Sequence, residues 1–269
     1  MNQTIGRILC LYLLSTMLTS LNVNELKRCY NDSTAYELCI DEVGRGCLFG
    51  RAYIACVVLP KDPGSFDGTD VKDSKKFSSR KKLGRVADRI QNEAFAYHIA
   101  FVEHSVIDEV NILQAVMQGM HECIRECLAQ IEGKIGRQLE WSTGQETSSV
   151  PCPLDWSKDV SAIIDGNYFK PYRSCTGGVF TELPFATVEK GDATYMGIAA
   201  ASILAKHARD SYITELCTEY PALVDRYGLD TNMGYGTAKH LAGIREHGIT
   251  QWHRRSFGDA CRGAVLNPV

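Results

Sequence analysis

Two apolar, β-branched runs, "YELCIDEV" (36–43) and "RAYIACVVLP" (51–60), are joined by "GRGCLFG", a short turn with glycines at 44, 46 and 50. So short a connection has no room for a crossover helix, so the runs are expected to pair as an antiparallel hairpin. The first run ends in two adjacent carboxylates, Asp41 and Glu42. Neighbouring side chains of a regular strand point to opposite faces. The two acids are therefore expected to share a site only if the strand stops at or just after Asp41 and the glycines redirect the chain.

The rest of the chain alternates the two periodicities. Residues 94–104 read as a third strand, and 106–131 carry apolar residues at helical spacing, the mark of one long amphipathic helix. A polar stretch from Lys61 leads into a helix with basic residues on its exposed face. "VSAIIDGN" (160–167) and "PFATVEKGD" (184–192) are apolar runs ending in acids, Asp165 and Asp192, with a glycine- and proline-containing loop at 168–183 between them. Residues 195–220 form a helix with an alanine-rich face that permits close backbone approach. Residues 132–159 have no clean periodicity and many turn formers, which suits an insertion or mobile loop. Strands interspersed with helices imply an α/β class, and the opening hairpin makes the sheet mixed. The expected divisions are an N-terminal extension over 1–34, a main domain over 35–220 and a C-terminal helical segment over 221–269.

A chain of 269 residues, 45% hydrophobic and 23% charged, buries a core as one large domain or one domain plus a small appendage. A net charge of −3 excludes an overall basic coat, so a polyanionic partner would be held by a local basic patch or through metal ions. The 11 cysteines include no CxxC pair, and Cys39, Cys56 and Cys217 sit in apolar runs. They read as free thiols of a reduced, intracellular and cytoplasmic protein. "HECIREC" sets His121, Cys123 and Cys127 close together, but zinc needs about four ligands and no second cluster supplies them, so packing is expected. The N-terminal "GRILCLYLLSTMLTSL" is too short for a membrane span. It leaves an N-terminal helix, an organellar transit segment and a secretory signal core all open.

The glycines do not make a dinucleotide fingerprint, because their spacing is one residue too long and a strand follows where a helix is required. No GKS or GKT occurs, which excludes a P-loop. The pattern that remains is acids at chain breaks: Asp41, Glu42, Asp165 and Asp192. Converging carboxylates make an oxygen-rich pocket suited to Mg²⁺ or Mn²⁺. Two such ions about 4 Å apart activate a water and stabilise the leaving oxygen of a phosphodiester. Acids at strand ends are also common turn formers, and spacing alone leaves both readings open.

Four segments in order resemble type 2 ribonuclease H, the ribonuclease HII family: "DEVGRG" with "CLFG", "VKDSKKFSSRKK", "VEKGDATYMGIAAASILAKHARD" and "NMGYGTAKHLAGIREHGITQWHRRSF". "NILQA" (111–115) and "IIDGN" (163–167) match in the same order, and together these cover most of residues 37–257. The resemblance implies a ribonuclease H-like mixed sheet flanked by helices, with a C-terminal helical extension. It implies an endoribonuclease that hydrolyses the RNA strand of RNA–DNA hybrids and cuts 5′ of ribonucleotides embedded in duplex DNA, leaving 3′-hydroxyl and 5′-phosphate. Carried over by motif, Asp41, Glu42, Asp165 and Asp192 bind the divalent metals. Gly44, Arg45 and Gly46 contact the ribonucleotide, chiefly through backbone groups that recognise its 2′-hydroxyl, and Tyr235 packs on the sugar and helps select RNA-then-DNA junctions. Lys75, Asn111, Ser202, Lys206 and Arg209 hold phosphates or support the acids. "WHRRSF" (252–257) suits either a nucleic-acid edge or packing of the C-terminal segment.

The alternatives are an inactive hybrid-binding protein and a ribonuclease HIII-like enzyme. Asp192, where that second family carries glutamate, and the short N-terminal region argue against the latter. No clamp-binding QxxLxxF-like stretch follows "RRSF", so the expectation is a monomer without an obligate protein partner. The sequence departs from the family pattern in the wide spacing of Asp165 and Asp192, in the length of 132–159 and in the N-terminal extension.

Overall fold

The structure, a computed structural model, describes residues 26–62, 64–143, 154–176 and 178–269. The apolar N-terminal run and the middle of 132–159 lie outside the described residues. The hairpin forms as expected: β1 (Tyr36–Val43) pairs antiparallel with β2 (Ala52–Val58). Next come α1 (Arg80–Glu93), β3 (Ala96–Val102), α2 (His104–Val110), α3 (Ile112–Thr143) and β4 (Val160–Asp165). The chain then makes β5 (Arg173–Thr176), β6 (Val179–Glu182), β7 (Phe185–Val188) and α4 (Met196–Glu219). It finishes with α5 (Ala222–Tyr227), α6 (Leu229–Asn232), α7 (Ala238–His247) and α8 (Gly258–Cys261).

The main sheet is mixed, in the order β3-β2-β1-β4-β7, with β4 parallel to both β1 and β7. Alternation along β1 explains the layers. Leu38 and Ile40 face a core shared with α3, while Cys39 points to the other face, beneath α4. A side chain at Gly197 would collide with Cys39, so the helix's close approach to β1 depends on glycine there. Each large apolar side chain fully buried between these layers contributes about 1.5–3 kcal/mol. A third core, around Phe49, Ile213, Leu223, Tyr227 and Ile244, joins the C-terminal helices to α4 and to the hairpin turn.

Three expectations are corrected. The helix expected over 106–131 is two helices, broken at Asn111, whose φ of 69° ends α2 and whose Oδ1 accepts the Leu113 and Gln114 N–H groups at the start of α3. Residues 132–143 continue α3, because Cys127, Ile131 and Ile135 recur at helical spacing against the core and the Lys134 ammonium bonds the Phe95 carbonyl. The stretch 168–183 holds a separate two-stranded hairpin, β5–β6, with Arg173 bridging to Glu182 at 2.7 Å. The cysteines behave as expected: Cys39, Cys56 and Cys217 are free and buried, and Cys123 and Cys127 pack in the core under β2. Among the described residues no helix is long and apolar enough to cross a membrane.

Candidate active site

The last paired positions of β1 and β4 are Ile40 and Ile164, so Asp41 and Asp165 come next, side by side at the rim of the sheet. β1 does not stop at Asp41. Its pairing to β2 runs on through Asp41, Glu42 and Val43, and the chain turns only at Gly44, with φ of 90°. What ends early is the other edge: the ladder to β4 stops after Ile40, leaving that side of Asp41–Val43 unpaired. Around this open edge the carboxylates of Asp41 and Glu42 both lie within electrostatic reach of Asp165. Three of the acids thus lie within one another's electrostatic field along this edge, although β1 runs on past Asp41.

Burial raises the pKa of Asp41 well above the carboxylate range, and the charges of Glu42 and Asp165 raise it further. A hydrogen bond from Ser202 and the Glu42 N–H at 2.7 Å act in the other direction. Ser202 on α4 is itself held by the Ser74 hydroxyl, 2.9 Å away. Glu42 is also raised by burial, partly offset by Arg45 at 3.3 Å. Asp165 is raised by burial and relieved by the Gly191 N–H, which donates to it at 2.6 Å. That bond ties β4 to the 3₁₀ turn Gly191–Ala193, entered through Lys190 in the left-handed conformation. Asp192 therefore sits on a buried turn beyond β7, where the sequence suggested a strand end. Its carboxylate meets the Lys75 ammonium at 3.4 Å.

Among the described residues no three His, Cys, Asp or Glu side chains close on one point tightly enough to enclose an ion unaided. The donor set nonetheless fits a hard divalent cation: oxygen ligands only, several charges crowded at one rim, and an exposed side-chain cation already drawn there. Lys75 is that cation. Its pKa is raised by Asp192 first and also by Asp73 and Asp41, although its side chain is 79% exposed. Asp41, Glu42, Asp165 and Asp192 are the groups that would hold a metal.

The structure sorts the other expected residues. Gly46 opens to free space, with no neighbour where a side chain would begin, so its backbone is uncovered to a ligand. At Gly44 a side chain would collide with Arg209. Arg209, 1% exposed, lies behind the turn with Nη2 3.5 Å from the Phe49 carbonyl and its guanidinium carbon 5.7 Å from the Tyr235 ring centroid. It braces the turn and the tyrosine from behind. Tyr235 is 46% exposed. Lys206 pairs with Asp210 at 2.9 Å, one turn along its own helix, and Asn111 is a helix cap.

Sequence reasoning left open the role of "WHRRSF" and did not single out Ser74 or His240. His253 and Arg254 prove fully buried, with Arg254 donating to the carbonyls of Gly50 at 2.9 Å and Arg45 at 3.1 Å. The residues 252–254 pair with the hairpin turn through Gly50 N–H to Trp252 O and Arg254 N–H to Leu48 O. Two arginines within an aromatic-flanked run hold no signal that separates this inward packing from a basic surface.

The Ribonuclease HII family profile matches residues 38–136 and 160–260. The ribonuclease HII of Parabacteroides distasonis is 37% identical over 228 residues, covering 85% of this chain and 92% of that one. The ribonuclease HII of Cytophaga hutchinsonii is 34% identical over 218 residues, 81% and 87% of the two chains. Among solved structures, the ribonuclease H2 from Pyrococcus horikoshii OT3 superposes with a TM-score of 0.54 at 19% identity, covering 84% of this chain and 95% of that one. The PCNA:RNase HII complex from Archaeoglobus fulgidus gives 0.53 at 21% identity, over 83% and 95%. These two likenesses are of fold.

Proposed function

Since the chain belongs to the ribonuclease HII family and is a ribonuclease H, a hydrolase, we propose that it cuts duplex DNA on the 5′ side of an embedded ribonucleotide and the RNA strand of RNA–DNA hybrids, with Mg²⁺ or Mn²⁺ at the acidic rim. The observation that carries this reading is the placement of Asp41 beside Asp165, with Glu42 reaching the same rim and Asp192 tied to it through Gly191. Bound divalent metal supplies an activated water and charge stabilisation for the leaving oxygen.

The remaining work falls to the chain. Ser202, steadied by Ser74, orients the Asp41 carboxylate. The uncovered backbone at Gly46 and the turn held by Arg254 and Arg209 offer amide and carbonyl groups to a 2′-hydroxyl, the group that separates ribose from deoxyribose. Tyr235 stacks on the adjoining sugar. Lys75 leaves Asp192 to meet a phosphate when substrate and metal arrive.

The test is incubation of the protein with a duplex carrying one ribonucleotide, in Mg²⁺ or Mn²⁺, with the cut mapped at nucleotide resolution. Cleavage 5′ of the ribonucleotide with a 3′-hydroxyl product is expected. A protein that degrades uniform hybrids yet leaves this duplex intact would confine the activity to long hybrids, and one that cuts neither with either metal would overturn the proposal.

A further inference from the structure

Behind the turn lies a buried polar chain that the reaction does not use directly. His240 on α7 and His253 are 0% and 1% exposed, with their Nε2 atoms 3.0 Å apart. His253 Nδ1 lies 2.9 Å from both the backbone nitrogen and the hydroxyl of Thr250, and His240 Nδ1 lies 3.0 Å from the Tyr235 carbonyl oxygen; with the backbone N–H aimed at Nδ1, the hydroxyl also acts as a donor to it.

The end groups dictate where the protons sit. A backbone N–H only donates, so His253 Nδ1 carries no proton and its single proton is on Nε2. That N–H points at His240 Nε2, which must then be bare, placing the proton of His240 on Nδ1. A carbonyl only accepts, so the His240 Nδ1–H donates to Tyr235. The chain runs one way: Thr250 N–H to His253, His253 to His240, His240 to the Tyr235 carbonyl. It closes only if both imidazoles are neutral, and burial lowers the pKa of each, His253 to about 3. The rings are held by Tyr227, whose centroid is 5.9 and 5.0 Å from theirs, and by Phe49 at 5.0 Å from His253.

The chain is tied to the nucleotide-facing turn at two points. Gly234, next to Tyr235, accepts the Leu48 N–H at 2.9 Å, and Phe49 bridges to His253. We infer that the His253–His240 relay is a positioning device that sets the depth of the Tyr235 ring against the Gly44–Gly46 turn, and so governs preference for a ribonucleotide followed by a deoxyribonucleotide. This rests on the reading of Tyr235 given above.

The experiment compares kcat and KM on a duplex with one ribonucleotide and on a uniform RNA–DNA hybrid, for wild type, His240→Leu, His240→Asn, Tyr235→Ala and Tyr235→Ala with His240→Leu. His240→Leu is expected to lower kcat/KM about tenfold on the single-ribonucleotide duplex, equivalent to ~1.4 kcal/mol, and at most about twofold on the hybrid. His240→Asn, whose amide can still donate to the Tyr235 carbonyl, is expected to recover most of that loss. In the Tyr235→Ala background His240→Leu should leave the substrate ratio unchanged. Proportional loss on both substrates, as partial unfolding produces, overturns the inference, and so does a ratio shift that persists without the Tyr235 ring. If Tyr235→Ala leaves the ratio as in wild type, the relay has no selectivity to set and the inference falls, while wild-type cutting still supports the proposed activity. A wild type that cuts neither substrate removes both. Independently, ¹⁵N spectra of the imidazoles at pH 7 should show His240 as the Nδ1–H tautomer and His253 as Nε2–H, and the reverse assignment for either ring overturns the inference whatever the kinetics show.

Discussion

Two polar clusters among the described residues, one at the sheet rim and one behind the turn, follow opposite plans. At the sheet rim Asp41, Glu42 and Asp165 crowd like charges together, and burial drives each carboxyl upward in pKa. Behind the turn, His240 and His253 are neutral, and every ring nitrogen has a partner of the correct kind. The first cluster imposes a charge penalty on the folded chain, and the second is satisfied with nothing bound. Where a protein leaves charge unbalanced it is built for a ligand, and where it balances polar groups completely it is built for geometry.

The sharpest way to break that contrast is at Asp165. Asp165→Asn is expected to lower cleavage by at least about 10²–10³-fold while binding to a hybrid persists. With metal chelated, the variant should also melt no lower than wild type, since one repelling charge is gone. Near-normal cleavage would show that the rim is not the site, and a marked fall in melting temperature would show that the acids support one another.

Arg254 tests the other cluster's surroundings. Its guanidinium holds the Gly50 and Arg45 carbonyls and is 0% exposed. Arg254→Met leaves those carbonyls without partners and is expected to cost about 2–4 kcal/mol in denaturant unfolding. A loss under ~0.5 kcal/mol would mean that the turn is held by other bonds.

Much of this was legible from residue order. The hairpin followed from the short link between two apolar runs, and α4 from its alanine-rich periodicity. The acids were found as breaks in apolar runs. What escaped was whatever depended on partners distant in sequence. The expectation that β1 stops at or just after Asp41 gave way to a strand that runs to Val43, because the ladder to β2 continues while the ladder to β4, more than a hundred residues away, does not. Asn111 reads as an ordinary helix residue until its positive φ and capping role are seen. The inward aim of Arg254 depends on carbonyls some two hundred residues earlier.

The clusters also differ in their response to acid. The folded-state pKa values of His253, about 3, and of His240 lie below the unfolded value of ~6.5. Their contribution is therefore fully present above pH ~6.5 and is lost as pH falls towards 3, at up to about 1.4 kcal/mol per pH unit for each ring. Asp41 has the opposite sign: its folded pKa is raised, so the penalty it imposes at neutral pH is relieved on acidification. Between pH 7.5 and 5, measured by denaturant unfolding without metal, Asp41→Asn is expected to lose stability more steeply than wild type, and His253→Gln less steeply. Parallel curves for all three proteins would show that neither cluster titrates as described.

The smallest effect is expected at Lys75, where the rim is partly neutralised by an exposed side chain. Because its ammonium lies 3.4 Å from Asp192 and also acts on Asp41, it competes with a metal ion for the same charges. An ion pair this exposed is worth only ~0.2–1 kcal/mol, which corresponds to a change in affinity of about 1.4- to fivefold. Lys75→Met should therefore tighten Mn²⁺ binding to the free protein by about that factor, read by calorimetry in the absence of nucleic acid, while weakening capture of a hybrid as one phosphate contact is lost. If Mn²⁺ instead binds more weakly to the variant, Lys75 organises the acids and does not compete for them, and the rim would have to count as partly satisfied before any ligand binds.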